Sequence, residues 1–166
     1  MGVAELDRIS DDGFVAEVSP LFEGAPRFLR RLAAARPFGD EATLFGRAEA
    51  IALAMPEAEQ LELIDAHPRL GAPPASVSAE SHREQGYDRD TTEAIAELER
   101  LNAEYERRFG FRYCVFVNGR SRPALVPVLE AALSADRSTE IRRAVVDVVA
   151  IARDRAARAG TEVGAA

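Results

Sequence analysis

His67 is the residue of this chain best suited to acid–base chemistry. A helical pattern runs into His67 and stops there, because Pro68 disfavours helical dihedrals at the residue before it. Further along, Ser81, Glu84 and Gln85 are spaced i, i+3, i+4, so a helical turn beginning near residue 78 would present them on one face. Histidine titrates near neutral pH, and a carboxylate can orient it or share its proton. This stretch therefore predicts an acid–base site.

Two simpler interpretations of the same residues stay open at this point. A histidine at the carboxyl end of a helix can serve only to interact with the dipole of that helix. A face of Ser81, Glu84 and Gln85 is equally typical of a solvated helix surface. Glu84 gains a chemical role only as a partner of His67.

Metal and thiol chemistry are weaker candidates. Asp65, His67, His82 and Glu84 could be proposed as ligands, but helical residues two apart point in different directions and no known ligand spacing is matched. We therefore predict no metal site. Cys114 is the single cysteine of the chain and lies within an apolar run, which favours an inert core thiol over a Cys–His nucleophile.

The elements that must position these residues are nearly all helices. Apolar residues recur at helical spacing, Pro26 and Pro56 fall where first turns are expected, and Asp40 is suited to cap a helix. The predicted helices cover approximately residues 11–19, 26–36, 41–55, 56–67, 91–109, 123–133 and 138–158.

Residues 109–117 break this pattern. They are aromatic and β-branched and are followed by Asn118-Gly119, which predicts an extended segment, yet the sequence offers no second strand to pair with it. Its amides and carbonyls must then bond to loops, side chains, water or a ligand, so the segment is a candidate pocket wall. The predicted fold is all-α: a single-domain helical bundle over residues 1–166 with one buried extended segment lining the active site.

Composition excludes several classes of function. The chain has 166 residues and a formal net charge of -7, which argues against binding nucleic acid or anionic membranes. No apolar run approaches the roughly 20 residues needed to span a bilayer. The acidic N-terminus lacks a signal-peptide core, so a soluble, cytoplasmic protein is expected.

Taken together, the motifs resemble one family, the decarboxylases of 2-oxo-4-hydroxy-4-carboxy-5-ureidoimidazoline (OHCU). The matching pieces are HPRLG at residues 67–71, SHREQ at 81–85 and LNAEYERRFGF at 101–111. RPF at residues 36–38 and GRS at 119–121 continue the register. The resemblance implies an all-helical fold, usually a homodimer, and a cofactor-free decarboxylation that yields (S)-allantoin in urate breakdown. It also suggests a hydroxyisourate hydrolase as a pathway partner.

The resemblance also implies roles for individual residues. His67 matches the catalytic histidine of the family and Glu84 its acidic partner. The implied substrate contacts are Pro68, Ser81, Gln85, the main chain of Tyr113, Cys114, Val115, Phe116 and Val117, and Arg155.

The chain departs from the family where Asp154-Arg155-Ala156 replaces a usual LRL triplet. Arg153 and Arg158 on the same helix are expected to face solvent.

Two other functions are compatible with the sequence. One is a decarboxylase or binder of another ureido- or hydantoin-like acid, and the other is a helical interaction module without catalysis.

Overall fold

The structure is a computed structural model that describes the backbone of residues 2–70 and 89–163 and the side chains of residues 2–70 and 92–160. Ser81, Glu84 and Gln85 lie outside these ranges, as does the helical turn predicted near residue 78. Their proposed roles therefore stay predictions.

The described residues form α-helices with irregular connections. The helices are α1 (Val3–Leu6), α2 (Asp11–Val18), α3 (Pro26–Ala34), α4 (Glu41–Ala54), α5 (Glu57–Asp65), α6 (Arg89–Phe109), α7 (Arg122–Ala132) and α8 (Arg137–Val163), with a 3-10 turn at Ser19–Leu21. No strand is present within residues 2–70 and 89–163, so the prediction of an all-α fold is confirmed. None of these helices has an apolar stretch long enough to cross a bilayer.

Capping side chains and prolines explain several of the helix starts. The side chain of Ser10 accepts a hydrogen bond from the Gly13 amide, and that of Asp40 accepts one from the Thr43 amide at 2.7 Å. Pro26 is the first residue of α3, as predicted. The prediction was wrong at two other starts: Pro56 is the N-cap of α5 rather than its first turn, and α6 begins earlier than residue 91.

The chain divides into two compact units, and the single-domain prediction stays a prediction. The first unit comprises Met1–His67 and Ile141–Ala166. Its core is made by fully buried apolar side chains, which include Phe14, Phe22, Phe28, Phe45, Leu63, Ile64, Val145 and Val148. Burial of side chains of this size is worth about 1.5–3 kcal/mol each and supplies most of the driving force for folding.

The RPF segment ties the N-terminal residues to this core. The Arg36 guanidinium donates to the carbonyls of Leu6 and Ile9 at 2.9 and 2.7 Å, and it lies 5.0 Å from the centroid of the Phe14 ring. The Asp7 carboxylate accepts the Phe38 amide at 2.9 Å. Hydrogen bonds from main-chain amides, with the greatest effect from Gly39, hold the pKa of Asp7 below its usual range. This motif has a structural function here.

The second unit, Pro68–Glu140, packs α6 against α7 and contains an aromatic cluster. The Tyr105 ring contacts the rings of Phe109, Phe111 and Tyr113, at centroid distances of 4.6, 5.5 and 5.0 Å. Its hydroxyl donates to the buried Glu140 carboxylate at 2.8 Å. This bond satisfies polar atoms that would otherwise be costly to bury.

Candidate active site

His67 follows the last turn of α5 and is almost fully buried, with 3% of its surface exposed. Its amide donates to the Ile64 carbonyl at 3.2 Å. Its ring Nδ1 lies 3.3 Å from the Leu63 carbonyl oxygen, which can only accept, so Nδ1 carries the proton. The helix end therefore fixes the orientation and the tautomer of the imidazole, and the lone pair of the neutral ring is on Nε2.

The surroundings of His67 favour its neutral form. Burial lowers the pKa of His67 below its usual range, since the charged ring would lose hydration. The bond to the Leu63 carbonyl acts in the opposite direction. Arg155 lowers the pKa and Glu23 raises it, so both charges act on this imidazole. A neutral histidine with a defined tautomer is suited to accept a proton.

Arg155 lies on α8 and is held by residues of the first unit. Its Nη1 donates to the carbonyls of Pro20 and Leu21 at 3.2 Å each, and its Nη2 pairs with the Glu23 carboxylate at 2.6 Å. The side chain of Arg155 is 31% exposed. The positive charge of Arg155 lowers the pKa of His67, and its predicted role in binding an anion stays a prediction.

The two neighbouring arginines differ from each other. Arg158 is 73% exposed and pairs with Asp154 one turn earlier on the same helix, in agreement with the predicted solvent-facing position. Arg153 is exposed, but its guanidinium lies 5.5 Å from the centroid of the Phe45 ring. The expectation for Arg153 was therefore incomplete.

Glu23 is a charged residue that acts on the pKa of His67 and that the sequence did not reveal. It lies in the turn after the 3-10 segment and adopts a left-handed backbone conformation with a φ of 53°. Its partner Arg155 is more than a hundred residues away in the chain, as the separation of 132 shows. The only local signal was the Glu23-Gly24 pair, which is typical of a turn and says nothing about an ion pair.

Residues 113–117 form neither helix nor strand. Tyr113, Cys114 and Val115 are buried and the next two residues are partly exposed, so Cys114 lies in the core as predicted. At the end of the segment, the Arg120 guanidinium donates to the carbonyls of residues 116 and 117 at 2.6 and 3.0 Å. Two main-chain carbonyls for which the sequence offered no pairing strand are thus bonded by a side chain. That the segment lines the active site stays a prediction.

The residues after Pro68 are attached to α6. Asn102 donates to the Leu70 carbonyl at 2.9 Å, and Arg69 pairs with Glu106 at 2.6 Å. Asn102 is buried, and its position in the LNAEYERRFGF motif is thereby explained by a contact within the second unit.

Among the described side chains, no group of three or more His, Cys, Asp or Glu residues is arranged to hold a metal ion. His82 and Glu84 lie outside the described residues. The absence of a metal site therefore stays a prediction.

Comparison with known proteins places these features in a family. A family model described as OHCU decarboxylase matches residues 7–157. The chain is 28% identical over 155 residues to a 2-oxo-4-hydroxy-4-carboxy-5-ureidoimidazoline decarboxylase of Haloferax volcanii, covering 92% of each chain. It is 30% identical over 156 residues to a protein of the same name from Halalkalicoccus jeotgali, covering 90% of this chain and 86% of that one.

A longer relative and a solved structure agree with this match. The chain is 32% identical over 163 residues to a uric acid degradation bifunctional protein of Bacillus subtilis, covering 96% of this chain but only 33% of that protein. The fold is similar to a crystal structure of OHCU decarboxylase in the presence of (S)-allantoin, with a TM-score of 0.68, 21% identity, and coverage of 86% of this chain and 95% of that one. Because the family model matches most of its length, this chain belongs to the OHCU decarboxylase family.

Proposed function

We propose that this protein decarboxylates OHCU to (S)-allantoin in urate breakdown without a cofactor. The observation that carries the proposal is His67 itself: a buried imidazole, fixed in one tautomer and kept neutral, in a chain that belongs to the OHCU decarboxylase family. A group with these properties is suited to proton transfer at neutral pH.

The substrate supplies much of its own catalysis. Its carboxylate is on a carbon that also bears a hydroxyl and adjoins a ring C=N bond. Loss of CO2 breaks the bond from this carbon to the carboxylate, and the electron pair left behind can delocalise into the conjugated ring. The protein must then orient the carboxylate out of the ring plane, stabilise the developing charge and deliver a proton to one face.

In this proposal, the residues have distinct roles. His67, oriented by Glu84, engages the hydroxyl or carboxylate of the substrate and moves the proton. Arg155 pairs with an anionic oxygen. The remaining contacts proposed are with Pro68, Ser81, Gln85 and the main chain of residues 113–117.

A direct assay tests the function. Freshly prepared OHCU, made from hydroxyisourate, is incubated with the protein, and allantoin formation is followed by circular dichroism. We expect accelerated formation of the S enantiomer. Binding without turnover would favour the rival acid-binding protein, and neither binding nor turnover would favour the interaction module.

The same assay after dialysis against a strong chelator tests cofactor independence. We expect full activity, because the ring of the substrate accepts the electron pair and no metal is needed for that step. If activity is lost and one divalent ion restores it, a metal site that includes Asp65, His67 or Glu84 must be considered again.

The lowered pKa of His67 predicts the pH dependence. Since the folded-state pKa lies below the ordinary value of 6.5, His67 is mostly neutral at pH 6.5 and becomes mostly protonated only at lower pH. The acidic limb of kcat/KM should therefore have its midpoint below pH 6.5. A midpoint above pH 6.5 would show that a group other than His67 controls the rate.

Finally, we propose that the protein acts as a homodimer in the cytoplasm and that a hydroxyisourate hydrolase supplies the preceding step. The bifunctional relative of Bacillus subtilis, which is named for uric acid degradation, supports a pathway partner. Sedimentation equilibrium would test the dimer.

A further inference from the structure

We propose that Glu23 is a positioning residue that holds the Arg155 guanidinium beside His67, in place to receive the carboxylate of the substrate. The inference rests on the proposed function, in which Arg155 binds an anionic oxygen. Nothing in the sequence motifs assigns Glu23 a role.

The bonds of Arg155 show how the guanidinium is held. Three acceptors surround it, the carbonyls of Pro20 and Leu21 and the carboxylate of Glu23, and only the last is charged. A guanidinium has five N–H donors in one plane. Within the described part of the chain, the three bonds engage three of these donors, which leaves two for a ligand. Glu23 therefore fixes the orientation of the fork without occupying all of it.

The backbone conformation at Glu23 indicates that its side chain has a specific role. Both the Phe22 and Gly24 amides donate to the Ser19 carbonyl at 3.1 Å, and Phe22 is fully buried, so the turn is fixed on both sides of Glu23. Glu23 itself has a φ of 53°, a region where glycine or asparagine is preferred. A longer, charged residue in such a conformation is maintained where its side chain contributes something else, and the observed contribution is the bond to Arg155.

The charges of this pair both act on the pKa of His67. Arg155 and Glu23 act on the charge of His67 in opposite directions, with Arg155 disfavouring the imidazolium and Glu23 favouring it. Removing the Glu23 charge would leave the guanidinium less firmly oriented and its effect on His67 uncompensated. Two measurable properties should then change together: the affinity for the substrate and the titration of His67.

The first test is Glu23→Gln, which keeps the shape of the side chain but removes its charge. We expect kcat/KM for OHCU to fall about fivefold, mainly through a higher KM, because a misoriented guanidinium binds the carboxylate less well. The matched control is Glu59→Gln, which breaks a similar ion pair with Arg31 in the same unit. This control should leave KM unchanged.

The second test asks whether Glu23 acts through Arg155. In an Arg155→Lys background, Glu23→Gln should change KM less than twofold, since the oriented fork is already lost. NMR titration gives a reading that is independent of the substrate, because the chain has only two histidines and His67 can be assigned with His67→Asn. Glu23→Gln should move the titration midpoint of His67 to lower pH, and Glu59→Gln should not.

The outcomes separate the two proposals. Turnover of OHCU by the wild-type protein, with an unchanged KM and an unchanged His67 titration in Glu23→Gln, overturns the role of Glu23 and leaves the proposed function intact. Equal effects of Glu23→Gln in the wild-type and Arg155→Lys backgrounds also overturn it. A wild-type protein without turnover overturns the proposed function, and the role of Glu23 in it as well.

Discussion

Replacement of His67 by asparagine is expected to lower kcat for OHCU by roughly 10²–10⁴, the range for losing a positioned acid–base group. Asparagine can keep a donor directed at the Leu63 carbonyl, which His67 Nδ1 now contacts at 3.3 Å. It cannot accept and release a proton near neutral pH. The variant therefore removes the chemistry while retaining much of the local hydrogen bonding.

A buried site requires a control for stability. Gln60 is also buried on α5, and its Nε2 donates to the Ala52 carbonyl at 2.9 Å. Gln60→Ala should lower the free energy of unfolding by about 1–3 kcal/mol, because it leaves that carbonyl without its donor, but should leave kcat near the wild-type value. Thermal unfolding of both variants identifies a temperature at which each is folded. Activity of His67→Asn close to wild type under those conditions would remove His67 from the mechanism.

The helices were largely predictable because local chemistry fixes their ends. Ser10 and Asp40 cap α2 and α4 through contacts three residues along the chain, and a sequence window contains both partners. Helix α1 was missed, since Val3–Leu6 is only one turn long and its N-cap is Gly2. Such a short helix carries too few apolar residues to show a periodicity.

Residues 112–117 are neither helix nor strand, in agreement with the prediction of an extended segment that has no pairing strand. Aromatic and β-branched residues favour a strand, but a strand also needs a partner, and none is present among the described residues. Asn118 and Gly119 turn the chain with φ values of 48° and 71°, which brings Arg120 back to the carbonyls of residues 116 and 117. These two hydrogen bonds from Arg120 depend on backbone angles that a sequence pattern does not specify.

Only the local features of the candidate site could be predicted from the sequence. His67 was singled out because a helix ends before a proline, whereas its burial and its contact with the Leu63 carbonyl are seen only in the structure. The Arg155–Glu23 pair joins a helix to a turn that is distant in sequence, so no spacing rule could identify it. Long-range ion pairs of this kind become visible only when the fold brings α8 to the turn after α2.

The second large effect on the kinetics is expected from Arg155→Lys, because several groups hold the Arg155 guanidinium. Arg155→Lys keeps the positive charge but replaces a planar fork by a single ammonium group. The guanidinium now reaches the Pro20 and Leu21 carbonyls through Nη1 and the Glu23 carboxylate through Nη2. One ammonium nitrogen cannot occupy both positions and also bind an anionic ligand bidentately. A lost charge-assisted hydrogen bond costs about 1.5–3 kcal/mol, so kcat/KM should fall about ten- to hundredfold.

The neighbouring arginines provide the comparison on the same helix. Arg158→Lys should change kcat/KM less than about twofold, because Arg158 is highly exposed and its partner Asp154 lies on its own helix. Arg153→Lys should lose part of the contact with the Phe45 ring, and we expect a small decrease in thermal stability with an unchanged KM. Kinetics of the three variants are measured beside their unfolding curves. If Arg155→Lys behaves like Arg158→Lys, the carboxylate must be bound by other groups, and the guanidinium serves only to hold the turn that contains Glu23.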